Sequence, residues 1–427
     1  MQVMKWSVIA LAVAAGTTQM AVASSQSESK GFIEDSSFNI FNRALYHNRD
    51  FKNGAGGNTT SDGDVKGYRE DFGLGIRLLA ESGFTQGTVG VGVDAHSLSS
   101  IKLDTGKGRT GLGQFDRNSE NQAEDTQTEV GGAIKFRVSD TVLKHGNMFV
   151  GSPVFSTDDS RILPEVATGT YLVSNEIEGL ELSAGRFTAL SSQVSSDRDT
   201  FKLSQGDIYG ASYAFTENFS GAVHYGDFED YHKKTYLNLN YNLALAEEQA
   251  LNFDFNFYRT TDAGQELAGE IDNKIWSLAA AYSLGAHTIT LAHQRSSGDT
   301  AYSYGNVDGN GTIWLANSVQ ISDFDRKDER SWQLRYDLDM ATYGVPGLSF
   351  MTRYITGDNI DYGTGVDEGE ENEFNFETKY VIQEGAAKDL SFRVRSAIYR
   401  ANNSQNDNYA SDMNDVRLIV EYPLSVL

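Results

Sequence analysis

The stretch "TYLNLNYNLALAEEQALNFDFNFYRT", residues 235–260, decides the fold. Leu237, Leu239, Tyr241 and Leu243 alternate with Tyr236, Asn238, Asn240 and Asn242. After seven residues, Leu251, Phe253, Phe255 and Phe257 alternate with Asn252, Asp254, Asn256 and Tyr258. Successive side chains of an extended chain point to opposite faces, so each run is a strand with one apolar and one polar face. The short connection makes the two runs a hairpin. In a soluble sandwich or barrel the apolar face is the core. In a membrane barrel the apolar face meets lipid and the polar face lines a wet lumen. One hairpin fits both readings, and the rest of the chain separates them.

The same period recurs along nearly the whole chain. Strands are expected at 38–50, 66–80, 86–97, 126–138, 141–150, 166–175, 178–188, 205–215 and 219–229. They continue at 232–245, 249–260, 272–284, 286–296, 329–340, 346–356, 372–382, 388–399 and 413–426, which makes eighteen. Short connections such as "SD", "EIEG" and "SLGAH" alternate with long polar ones near 51–65, 98–125, 151–165, 189–204, 261–271, 297–328, 357–371 and 400–412. The connection near 227–231 is the short exception. Short turns at one end and long loops at the other are the pattern of an outer-membrane barrel. A further run, "TIWLANSVQIS" at 312–322, would make nineteen strands, so it is assigned to a structured extracellular loop, since bacterial barrels have even strand numbers. The last run, 413–426, is placed to close a ring against the first. The fold expected is therefore all-β: one antiparallel up-and-down transmembrane barrel of eighteen strands.

Composition agrees. The 427 residues include no Cys, 42 Gly and 4 Pro, and the formal net charge is -24. Without cysteine there is no disulfide scaffold and no thiolate metal site. The acidity argues against nucleic acid as a partner. Residues 1–23 read as a signal peptide: Lys5, an apolar run from Trp6 to Ala15, then Ala21-Val22-Ala23. That run is too short to span a bilayer as a helix. The single domain expected after cleavage is 24–427.

Parity assigns the lumen. Arg77, Lys135, Arg137, Arg335, Arg353, Lys379, Arg393, Arg395 and Arg417 each alternate with apolar neighbours and face inward. Arg43 and Arg49 share a parity with Phe41 and Leu45, so the first strand needs a bulge or a mixed face. Arg186 has the lipid-facing parity unless Gly185 makes a bulge. Asp71, Asp94, Asp254, Asp337, Asp339, Glu377 and Glu421 also face in. The first strand and the last three are neighbours in a closed ring, so their cations, with Arg353 beside them, form one positive stripe. Two uses are open to it. It ties the lumen together by salt bridges, or it forms a ladder that passes an anion from one guanidinium to the next.

Several segments carry a resemblance. They include "GFIEDSSFNIFNRALYHNRDF" at 31–51, "DDSRILPE" at 158–165, "WSLAAAYSLGAHTITLAHQ" at 276–294, "KDLSFRVRSAIYRAN" at 388–402 and "VRLIVEYPLS" at 416–425. Through them the chain resembles the OprD-type substrate-specific porins, the outer-membrane carboxylate channels, and looks closest to the branch that prefers monocyclic and other small carboxylates. The resemblance implies an eighteen-stranded barrel whose inward loop pinches the pore, with a basic ladder facing acidic groups. Carried onto this sequence, it makes Arg393, Arg395 and Arg417 ladder residues, with Arg43, Arg49 and Arg353. It makes 150–165 the constricting loop, where Asp158 and Asp159 oppose the ladder and Arg161 joins it.

The expected function is passive, substrate-selective uptake of small organic carboxylates across the bacterial outer membrane, with no catalysis, metal or cofactor. Expected partners are those carboxylates, outer-membrane lipid and lipopolysaccharide, and the barrel-assembly machinery. The chain itself is expected as a monomer or weak trimer. The alternatives are a general diffusion porin, in which the arginines only shape the field, and a barrel enzyme or adhesin working through its loops. Other signals are weak. "GKGRTG" at 106–111 lacks the helix that a dinucleotide site needs. "NVDGNGTIW" at 306–314 has Asn317 where a calcium loop needs Glu, and reads as a turn. No His pair has metal-ligand spacing, and His224 and His287 are expected in the lumen or an aromatic girdle.

Overall fold

The computed structural model describes residues 26–52, 67–105, 109–120 and 122–427. The expected signal peptide and the glycine-rich 106–108 lie outside the described residues. Among the described residues, eighteen long strands close into one antiparallel ring. They are β1 Ser37–Phe51, β2 Tyr68–Glu81, β3 Gly90–Asp104, β4 Thr126–Val138, β5 Thr141–Met148 and β6 Val166–Ile177. Next come β7 Leu180–Ser191, β8 Gly206–Thr216, β9 Phe219–Phe228, β10 His232–Ala246, β11 Gln249–Asp262 and β12 Asp272–Leu284. The ring ends with β13 His287–Gly298, β14 Arg330–Asp339, β15 Leu348–Ile360, β16 Gly369–Val381, β17 Ser391–Ala401 and β18 Met413–Ser425. Each strand pairs with its chain neighbours, and β18 closes on β1 with Arg43 opposite Glu421 and Arg49 opposite Asp415. Closure leaves no unpaired edge, the condition a sheet must meet in a bilayer. No described helix is long and apolar enough to cross a membrane.

The opening hairpin is β10–β11, joined at Glu247–Glu248, with Asn238 opposite Asn256 and Leu239 opposite Phe255. Leu239, Tyr241, Leu243 and Phe253 are exposed on the outside of the ring. Inside, Asn238 and Asn240 donate to Asp254 (3.0 and 2.9 Å) and Asn252 donates to Asn240 (3.0 Å). This inverted arrangement, greasy outside and amide-lined within, settles which face meets water.

The first strand has a mixed inner face and no bulge. Its pairing with β2 runs unbroken from Ser37 to Asp50. Phe41, Arg43, Leu45, His47 and Arg49 therefore all point inward. Leu45 is dry because it packs with Leu98, Phe115, Ile162, Leu163 and Val166. Arg186 lies outside. It is 60% exposed and forms a bidentate pair with Asp207 (2.7 and 2.9 Å). The ladder does slip near Gly169, but at Thr188, beyond Arg186, so the arginine keeps its outward parity. His224 sits inside, and His287 lies in a girdle at the short-turn end, bonded to Tyr336 and Tyr343 (2.7 and 2.9 Å).

Candidate functional site: a lumen narrowed by two loops

Two loops from the long-loop end turn into the ring. The first, 149–165, joins β5 to β6. Its Val154 and Phe155 are fully buried, and Phe155 stacks on Phe187 of β7 (4.2 Å between centroids). Tyr258 of β11 donates to the Pro153 carbonyl (3.1 Å). The far end of the loop crosses to β1 and β2. There Asp159 accepts from Arg43 (2.9 Å) and Arg77 (2.6 Å). The same arginines donate to the carbonyls of Arg161 (2.5 Å) and Ile162 (3.0 Å). The sequence makes room for this approach. Gly73 and Gly75 face inward on β2, where a Cβ would strike Phe115 and the Ile162 backbone.

The second loop, 299–329, runs along the wall from β10 to β18. Asp308 takes the ammonium of Lys234, and both side chains are fully buried. Trp314 N donates to Tyr258 (3.1 Å), Asn317 N to Gln294 (3.0 Å), Ser322 N to Glu373 (2.8 Å) and Gln320 to Asp415 (2.8 Å). The run 312–322 is thus loop, as its exclusion from the strand count requires. It lies inside the ring, however, and is a second constricting element that parity did not find. Asp308, the acid that mimicked a calcium ligand, is committed to Lys234. The two loops also bind each other. Ser156 N donates to the Asp308 carbonyl (3.0 Å), and Asn310 donates to the Glu165 carboxylate. Burial pushes the Glu165 carboxyl up to about 7.

The cations of β1 and β15–β18 descend one wall. Nearest the long loops, Arg49 (2.9 Å), His47 (2.7 Å) and Arg417 (2.9 Å) converge on the buried carboxylate of Asp415. Arg417 is also fixed by the Gln320 carbonyl (3.0 Å). Opposite Arg417 in register stands Arg395, and opposite Arg395 stands Glu377. Glu377 is shared: its two oxygens lie 3.1 Å from Arg395 and 3.7 Å from Arg393. Lys379 faces Arg393 in the same strand pair, two residues along. Arg353 donates to Asn375 (2.7 Å) and has no carboxylate partner among the described residues. Arg335 opposite it is bound to Asp337 (2.7 Å).

Arg161, from the first loop, approaches the same wall. Burial, then the Arg417 guanidinium, push its pKa down to about 10, while Asp158 opposes them. Asp158 has no cation partner among the described residues; it accepts from Ser160 (2.6 Å) and Gln193 (3.1 Å).

Two expectations need correction. Arg137 faces inward, yet it stands apart from the constriction. It donates to Gln26 (2.8 Å) and lies over Phe84 at the short-turn end (4.3 Å). Asp159 does not stand across a gap from the ladder. It is clamped between Arg43 and Arg77, so it anchors the loop. Of the two uses left open for the stripe, salt bridging is present at Arg393 and Arg395, because a wall carboxylate, Glu377, serves both. What the structure brings together is Arg49, Arg161, Arg353, Lys379, Arg393, Arg395 and Arg417 along one side. Arg43, Arg77 and Asp159 form the loop anchor beside them.

A family model described as "outer membrane porin, OprD family" matches residues 30–426. Porin D of Pseudomonas aeruginosa is 47% identical over 458 aligned residues, covering 100% of both chains. The solved structure of OccAB1 from Acinetobacter baumannii superposes with a TM-score of 0.88 at 31% identity, covering 95% of this chain and 100% of that one. That of Pseudomonas aeruginosa OpdK with vanillate superposes at 0.81 and 33% identity, covering 92% and 100%.

Proposed function

The chain belongs to the OprD family of outer membrane porins, a substrate-specific channel of the outer membrane and not an enzyme, and we propose that its substrates are small organic carboxylates drawn along the Arg49–Arg417–Arg395–Arg393–Lys379 wall. The observation that carries the reading is the sharing of Glu377. Two guanidiniums, 28% and 23% exposed, have one carboxylate between them. The buried Arg393 Nε and Arg395 Nε, both beside Glu377, have no well-aligned hydrogen-bond acceptor among the described residues. A guanidinium that is half compensated and wet takes up a second carboxylate at low cost, since charge-assisted bidentate bonds replace water. It also releases that anion, because Glu377 returns to it. Conduction needs this balance of entry and exit.

The facing wall supports a polar remainder on the solute. β10 and β11 lie about half-way round the ring from β1 and present Asn238, Asn240 and Asp254. The relatives point the same way, since OpdK has been crystallised with vanillate, a monocyclic carboxylate.

Single-channel recording in a planar bilayer tests the proposal. Benzoate-like carboxylates are expected to block or slow the ion current. Arg393→Ala with Arg395→Ala is expected to weaken that block about tenfold, from roughly 1.5 kcal/mol for one charged hydrogen bond. Unchanged block and unchanged anion preference in this variant would leave a general diffusion porin as the correct reading.

A further inference from the structure

Five basic side chains face away from the lumen near the long-loop end. They are Lys233, Arg259, Lys274, Arg295 and Arg330, on the consecutive strands β10 to β14. Their outward direction follows from alternation: Ile275, Ser277, Gln294, Ser296 and Ser331, of opposite parity, are fully buried within the ring. Arg295 and Arg330 are direct cross-strand partners. Neither guanidinium has an ion pair among the described residues. Lys274, one strand over, has none either. Like charges directly opposite each other destabilise a strand pair, and this chain carries a net charge of -24, so acids were plentiful.

The nearby acids are only partly engaged with this patch. Asp272 takes Arg259, Asp227 lies 3.7 Å from Lys233, and Asp358 faces Arg330 in register without forming an ion pair. Above, Lys327 pairs with Asp361 (2.8 Å).

What lies below fixes the depth. One step down the same strands, His293 stacks on Trp332 (4.2 Å) and meets Trp276 edge to face (5.3 Å). The next step is apolar and exposed: Leu278, Leu291 and Leu334. Aromatic residues mark the boundary of the hydrocarbon, and long loops mark the outer side. The two arginines sit two residues beyond that boundary, roughly 6 Å along the strand, where lipid phosphates lie.

We infer that Arg295 and Arg330, with Lys274 and Arg259 at their side, bind the phosphate of a phosphorylated glycolipid of the outer leaflet. The planar guanidiniums match phosphate oxygens bidentately. The lipid's acyl chains then run down past Trp276 and Trp332 onto the leucines. The bound phosphate supplies the counter-charge that the protein withholds.

Native mass spectrometry of the purified full chain tests this. Bisphosphorylated lipid A is expected to bind one to one, and its dephosphorylated counterpart to bind far more weakly. Arg295→Ala with Arg330→Ala is expected to weaken binding roughly thirtyfold, about 1 kcal/mol for each basic side chain at an anionic surface. Arg295→Lys with Arg330→Lys, which keeps both charges but loses the bidentate fork, should bind more weakly than the parent and more tightly than the double alanine variant. Lys388→Ala, on a short turn at the other end, should change nothing, and inorganic phosphate should not displace the lipid. Equal binding of dephosphorylated lipid, or undiminished binding by the double alanine variant, would overturn the site. Displacement by free phosphate would overturn the choice of a lipid.

Discussion

The lumen contains two ways of holding charge. Lys234 and Asp308 are both 0% exposed and pair directly, with the buried His232 Nε2 3.4 Å from the same carboxylate oxygen. Thr312 donates to the same carboxylate (3.0 Å), and the Tyr302 ring covers the ammonium at 4.8 Å. Arg393, Glu377 and Arg395 are about a quarter exposed and stand two to one. An unmatched charge costs several kcal/mol where water is absent, so the dry site must balance. Where water remains, a surplus is screened and tolerated. At these two sites compensation tracks solvent; the dry Asp415, which holds Arg417, Arg49 and His47, and the buried Arg353, bonded to Asn375, do not follow that rule. The balanced pair fastens the 299–329 loop to β10, and the unbalanced group lies on the open wall.

The largest expected effect comes from unbalancing the dry site. Lys234→Met leaves Asp308 buried without its cation, which should weaken loop docking by about 3–5 kcal/mol. The barrel should still form, since its strand pairs are untouched. Single-channel records should show a larger and noisier conductance. Adding Asp308→Leu should restore a quiet channel, because a well-packed apolar pair replaces an ion pair at little cost. A quiet, unchanged conductance in Lys234→Met alone would mean that the pair fastens nothing.

Asp159 is the intermediate case. Its side chain is 40% exposed while Arg43 and Arg77 are nearly covered. Asp159→Asn keeps the shape and removes the charge, so about 1–2 kcal/mol of anchoring should go. Loop 150–165 should then flicker, with conductance steps smaller than those of Lys234→Met. Equal or greater noise would show that exposure does not set the scale of these contacts.

Period-two alternation made all eighteen strands legible, because lipid outside and water inside impose opposite chemistry on alternate residues. It failed where that contrast fails. Leu45 faces inward because loop residues cover that part of β1 and make it dry, while the Arg43 and Arg77 guanidiniums lie over the Phe41 ring. The run 312–322 reads like a strand in sequence, but its backbone bonds wall side chains, Tyr258, Gln294 and Glu373, and pairs with no neighbouring strand among the described residues. Parity gave Arg137 its face but not its depth, and depth is what separates it from the constriction. The pairing of Arg393 and Arg395 with Glu377 depended on register, which a two-residue period does not specify beyond its own parity.

The smallest expected effect sharpens the wet side of the comparison. Glu377→Gln removes a negative charge from a partly exposed site, so the fold should be unmoved and the electrostatic change should be near 1 kcal/mol. Its sign is definite. Without Glu377 the two guanidiniums present their full charge to the lumen, so anion-over-cation permeability should rise. A carboxylate should then half-saturate the channel at about fivefold lower concentration. Release should slow by a similar factor, because no wall carboxylate competes for the arginines, and maximal carboxylate flux should fall. Higher affinity with lower throughput is the signature of a site whose own acid keeps it from holding too tightly. A reversal potential identical to the parent's would mean that Glu377 already lies outside the ion path, and that the surplus on this wall is structural.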